Sequence, residues 1–185
     1  MPAPLYAELF EPGWTWRLAI DYESSHWDGD KKASVIERRS GNGTCSVAVA
    51  GQFSWGVWSR VDCEGLDVQG TIPPVVGYFA ATSSGLYQLD FEPDASVPRD
   101  PRTLVLPARP KAGRQVERDP TQPDFSSVTA TSRSPDGWCV ERISSGGDEG
   151  WTSVCLAAGK GFRSGSWGWA GGSTHEAKFR IEVGR

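Results

Sequence analysis

From Pro12 onward the chain alternates between large apolar and polar residues. In PGWTWRLAIDYES, Trp14, Trp16, Leu18 and Ile20 are separated by Thr15, Arg17, Ala19 and Asp21. A period of two puts the large side chains on one face of a strand and the polar ones on the other. The same alternation closes the chain. In THEAKFRIEV, Ala177, Phe179, Ile181 and Val183 share a face, and Lys178, Arg180 and Glu182 lie opposite. Between these ends run short apolar stretches punctuated by turn chemistry. The predicted turns lie at Asp28-Gly29, Gly41-Asn42-Gly43, between Gly51 and Gly56, at Ser83-Ser84-Gly85, at Pro135-Asp136-Gly137 and at Gly146-Gly147-Asp148. Each supplies residues that tolerate a positive φ or start a turn. No window of about a dozen residues is dominated by helix formers. The pattern predicts an all-β protein, an antiparallel meander of hairpins forming a twisted sheet, an open barrel or a sandwich.

Composition shifts between Glu92 and Asp124, where seven of the 13 prolines lie. A crossover joining two halves, 1–91 and 125–185, of a single domain, 1–185, is the expectation. Leu104-Val105-Leu106 is read as one short edge strand within it. The basic stretch from Pro107 to Arg118 is read as a solvated loop. The halves carry a weak similarity. Ala80-Ala81 and Ala157-Ala158 each lead into a glycine-bearing step, and duplication or coincidence accounts for it equally well.

The four cysteines change the picture most. Cys45 and Cys63 bracket one predicted hairpin, and Cys139 and Cys155 bracket another. Four cysteines allow three pairings. Folding each hairpin at its turn sets its own pair on facing strands, so Cys45–Cys63 and Cys139–Cys155 are expected. Without CxxC spacing or enough histidines they make a poor zinc set. As disulfides they imply an oxidising compartment. A periplasmic or secreted location is therefore expected, with a leader removed from the N-terminus. No apolar stretch approaches the roughly 18 residues of a membrane span.

A net charge of −4 argues against a nucleic-acid partner. There is no G-x-S-x-G, no HExxH and no phosphate loop. His26 and His175 read as exposed loop histidines, and Asp28-Gly29-Asp30 as a solvated turn in preference to a calcium loop. Asn42-Gly43-Thr44 fits a glycosylation acceptor, but its role as a turn explains it. No catalytic residue, metal site or cofactor is expected.

Tryptophan is the residue used to excess, with nine in the chain. Trp14/Trp16 and Trp167/Trp169 are each spaced by two, so each pair shares a strand face. Core packing is one explanation, and an apolar platform for a lipid, glycan or protein is the other. Gly165, Gly168, Gly171 and Gly172 leave little for Trp167 and Trp169 to pack under locally. These two, with Trp55 near a hairpin tip, are the candidate ligand-binding residues.

The string WCVERISSGGDEGWTSVCLAAGKGFRSGSWGW, with the step Pro12-Gly13-Trp14-Thr15-Trp16, resembles exported proteins and lipoproteins of Gram-negative bacteria. Some of these are similar to the curved half-barrels that carry lipids or lipoproteins across the periplasm. The resemblance implies an envelope protein with a concave sheet and transfers no functional residue. A non-enzymatic binding or structural role at a Trp-rich face is expected, with a carbohydrate-binding module or a hydrolase using dispersed carboxylates as the alternative.

Overall fold

The computed structural model describes residues 4–65, 73–94, 102–118, 120–121, 124–146 and 148–182. A 3-10 segment, Pro4–Phe10, is followed by β1 (Thr15–Asp28), β2 (Ala33–Phe53), β3 (Gly56–Glu64), β4 (Gly77–Ala81), β5 (Gly85–Leu89) and β6 (Arg102–Pro107). Then come β7 (Gly113–Arg118), β8 (Ser126–Ser134), β9 (Gly137–Ser145), β10 (Glu149–Ala157), β11 (Gly161–Ala170) and β12 (Thr174–Glu182). All twelve belong to one antiparallel sheet in the order β6-β5-β4-β3-β2-β1-β12-β11-β10-β9-β8-β7. The all-β meander expected from the alternation is the fold. The first and last strands pair at its centre, Leu18 opposite Ile181 and Ile20 opposite Phe179. Val183 and Gly147, named above for the last strand and a turn, lie outside the described residues.

The sheet is open, because its edges β6 and β7 are not hydrogen-bonded to each other. It is also rolled. Phe79 on β4 and Phe162 on β11 have ring centroids 5.4 Å apart, yet five inter-strand steps separate their strands. Along a flat sheet those steps span about 24 Å. The inward face therefore folds back on itself and encloses one core.

β1 shows why. Trp16, Leu18 and Ile20 point inward and are almost wholly buried, and burying each contributes roughly 1.5–3 kcal/mol. The outward row Arg17, Asp21, Glu23 stays in water, as does Lys178 on β12, and Arg38 reaches Glu23 at 2.7 Å. These charged outward rows suit water, since lysine and arginine facing lipid at mid-bilayer cost about 2–4 kcal/mol each. The 3-10 segment closes one end of the roll, packing against β2, β3, β10 and β11 with Tyr6 and Leu9 buried.

Both expected disulfides are present, each joining residues directly opposite on neighbouring strands with Cα atoms 4.0 Å apart. They face opposite ways. Cys45 lies in the core beside Val47 and Val61. Cys139 and Cys155 alternate with the core residues Val140, Val154 and Leu156, so their bridge lies on the outer face.

Three local expectations are corrected. Gly41-Asn42-Gly43 is not a turn; it runs straight through the 21-residue β2. Its flanks both pair with β1, from Ser46 opposite Thr15 to Ala33 opposite Asp28, so the ladder keeps the glycines extended. His26, expected in a loop, lies in strand, since β1 runs through Ser24 to Asp28 and the turn begins at Gly29. Part of the stretch read as a loop before Arg118 is β7, paired with β8 through Val116 opposite Val128. It is exposed throughout; charged residues are what an unpaired sheet edge carries, so its composition imitates a loop.

Candidate functional site

Toward the end away from the 3-10 segment the inward rows change character. Nearer that segment they hold Leu156, Phe162 and Phe179 and pack solid. Farther along, one row crosses the sheet as Thr129, Arg142, Thr152, Trp167, Ala177 and Tyr22. The next runs Ser127, Ser144, Gly150, Trp169, His175 and Ser24. Small side chains at most of these positions cannot meet the opposite wall. A cavity of about 740 Å³ results, between Val76, Gln88 and Val105 on one side and Val140, Val154 and Trp167 on the other. That volume falls within the roughly 300–1,000 Å³ typical of small-molecule sites.

Trp167 and Trp169 both face this interior. The Trp167 ring lies 6.0 Å from Phe179, and its buried Nε1–H meets no acceptor among the described residues. Gly165 explains how the rings fit, since a Cβ there would come within 2.6 Å of Phe179. Trp169 sits nearer the rim, 39% exposed, and stacks on His175 with centroids 4.3 Å apart. His175 is therefore not an exposed loop histidine. It is held at both ring nitrogens, Nδ1 by the Tyr22 hydroxyl and Nε2 by Ser173 Oγ at 3.1 Å. Alternation along β12 places it inward with Ala177 and Phe179.

Trp55 lies elsewhere. It occupies the turn between β2 and β3 and packs on Phe53 at 5.5 Å. Together they belong to a cluster with Trp58, Tyr78, Tyr87, Ala80 and Leu89, separate from the main core. The three candidate tryptophans thus fall into two sites. Trp167 and Trp169 are inside the roll, and Trp55 is in a satellite aromatic cluster on β2–β5.

Arg142 is the cavity residue that sequence reasoning missed. Alternation with Val140 turns it inward, beside Thr129 and Thr152, and it lines the cavity. Burial pushes its guanidinium below the ordinary value, with the Glu117 charge pulling the other way. In VERIS, Ile143 and Val140 lie on opposite faces, so the sequence did not say which face was inward.

The carboxylates at the first hairpin tip are accounted for locally. Asp28 accepts the backbone N–H groups of Lys31 and Asp30 and pairs with the Lys31 ammonium at 3.2 Å. The Lys31 backbone N–H, then its ammonium, hold the Asp28 carboxyl below its usual range. His26 is exposed on β1. Among the described residues no three His, Cys, Asp or Glu side chains are grouped to hold a metal ion, and no helix is long and apolar enough to cross a membrane.

No protein-family model, curated protein or solved structure matches the chain.

Proposed function

We propose that this chain is a non-enzymatic binding protein that holds a hydrophobic ligand inside its rolled sheet, in the periplasm or another exported compartment. The observation that carries the reading is the cavity of about 740 Å³ walled by Val105, Val140, Val154 and Trp167. Apolar walls with a few fixed polar groups are the composition of a small-molecule site. Burial of an alkyl or aryl group there contributes about 25 cal/mol per Å² before ordering costs. The disulfides support export, because such bridges persist in oxidising compartments.

The neutral dye N-phenyl-1-naphthylamine tests the reading. Its fluorescence rises on entering an apolar site. Trp167→Ala should weaken or abolish saturable dye binding, and Trp55→Ala should leave it unchanged. Absence of saturable binding to the intact chain, or equal loss in both variants, overturns the reading.

The satellite cluster favours a second reading, a glycan stacked on Trp55 and Phe53. An oligosaccharide that shifts tryptophan emission in the intact chain but not in Trp55→Ala would support it.

A further inference from the structure

Arg142 raises a question that the hydrophobic-ligand reading does not answer: why an arginine lines an apolar cavity. A half-buried guanidinium set against apolar walls gives up part of its hydration, and an anionic partner offsets that loss. Among the described residues Arg142 forms no ion pair; Glu117, opposite Ser127 and so on the same face of the sheet, acts on it through charge from the exposed edge strand β7. A second cavity, of about 340 Å³, shares Val105, Val140 and Arg142 with the first. It lies along the open seam between β6 and β7, where Arg109, Lys111 and Arg114 line it. Among the described residues no acidic side chain lines either cavity. Four cations among the described residues therefore line the seam cavity of a chain whose net charge is −4. The first cavity is apolar and walled by Trp167; the second, adjoining it at Arg142, is cationic.

We infer that the two adjoining cavities together take a single-chain amphiphile with an anionic oxygen head, a carboxylate or a phosphate. Its alkyl chain lies along Val105, Val154 and Trp167, and its head sits at Arg142 facing the seam. Arginine suits the role because its fork of N–H donors meets two oxygens at once. Arg109, Lys111 and Arg114 raise the local concentration of the anion at the entrance. The inference rests on the hydrophobic-ligand reading and names its ligand class.

Competition for the neutral dye tests it on the full disulfide-bonded chain. Dodecanoate, dodecyl phosphate and dodecanol share a chain and differ in the head. Both anions should displace the dye at concentrations about tenfold to a hundredfold below dodecanol, the span of a charge-assisted hydrogen bond. Octanoate should be weaker than dodecanoate by up to about fourfold per missing methylene. Arg142→Met should remove the preference for anions and leave dodecanol affinity within about twofold. Arg142→Lys, the variant to use if Arg142→Met fails to fold, should reduce the preference severalfold because the fork is lost. If alcohol and anions compete equally, or the preference survives both substitutions, the anionic-head inference fails and the hydrophobic cavity stands. If inorganic phosphate alone displaces the dye, the ligand is not an amphiphile. If none of the twelve-carbon compounds competes, the hydrophobic-ligand reading fails as well.

Discussion

The roll of the sheet brings Phe79 against Phe162, and that contact can be measured as an energy. The two rings are almost fully buried, with centroids 5.4 Å apart and planes inclined at 60°. A tilted aromatic pair of this kind contributes about 0.5–1.5 kcal/mol beyond its area burial. Replacing either ring by leucine keeps the site apolar and changes its shape, at a cost on the order of 1–1.5 kcal/mol. A chain of this size has a stability of about 10 kcal/mol, so even the double variant stays folded. Urea unfolding of Phe79→Leu, Phe162→Leu and the double variant, with disulfides intact, closes the cycle. The double variant should be less destabilised than the sum of the singles by about 0.5–1 kcal/mol. Residues on a flat sheet about 24 Å apart would not couple. Additivity within about 0.3 kcal/mol would refute the roll, because sites out of contact add to that accuracy.

The disulfides close loops of nearly equal separation, 18 and 16 residues, so the chain-entropy term is about 3 kcal/mol for each. Only the Cys45–Cys63 bridge packs in the core; replacing it with two alanines should cost about 1–2 kcal/mol more than replacing Cys139–Cys155, and equal or reversed losses in urea would contradict the assignment of faces. Gly165→Ala should destabilise by at least about 1–3 kcal/mol, since its Cβ would meet Ser153 O at 2.0 Å and the Phe179 ring at 2.6 Å. Gly172→Ala, with open space around it, should stay within about 0.5 kcal/mol, and similar melting shifts for the two would count against the packing described. Burial raises the Tyr6 hydroxyl above its ordinary value of 10.0. Above that pH the unfolded chain loses the proton first, so stability falls as pH rises. Tyr6→Phe should lessen that fall between about pH 9 and pH 11 in urea titrations, and an unchanged slope would place Tyr6 outside the core.

The fold was legible where alternation and turn chemistry agreed. Trp16-Leu18-Ile20 and Ala177-Phe179-Ile181 announced two half-buried strands, and these pair at the centre of the sheet. The cysteine spacings announced their hairpins, because each pair straddles one turn. Long-range geometry was not legible. Nothing local says that β4 folds over β11 or that β1 and β12 are neighbours, since both depend on contacts far apart in sequence. Gly41-Asn42-Gly43 misled because a turn dipeptide is overruled when both flanks pair with the same strand. The site was half legible: Trp167 and Trp169 stood out by spacing and by their glycines, and both line the interior face. Trp55 stood out for the same kind of reason and belongs to a different cluster. Arg142 stayed hidden because VERIS offers an apolar residue on each face of its strand.

The central claim is that a hydrophobic ligand is held inside the roll at Trp167. The most direct measurement is a proton–nitrogen NMR spectrum of the nine indole Nε1–H groups, recorded with and without a spin-labelled alkyl probe. With assignments made by single substitution, the Trp167 signal should broaden at substoichiometric probe while Trp55 and Trp58 stay sharp. Broadening of Trp55 and Trp58 with a sharp Trp167 signal would move the binding site to the satellite cluster and contradict the account.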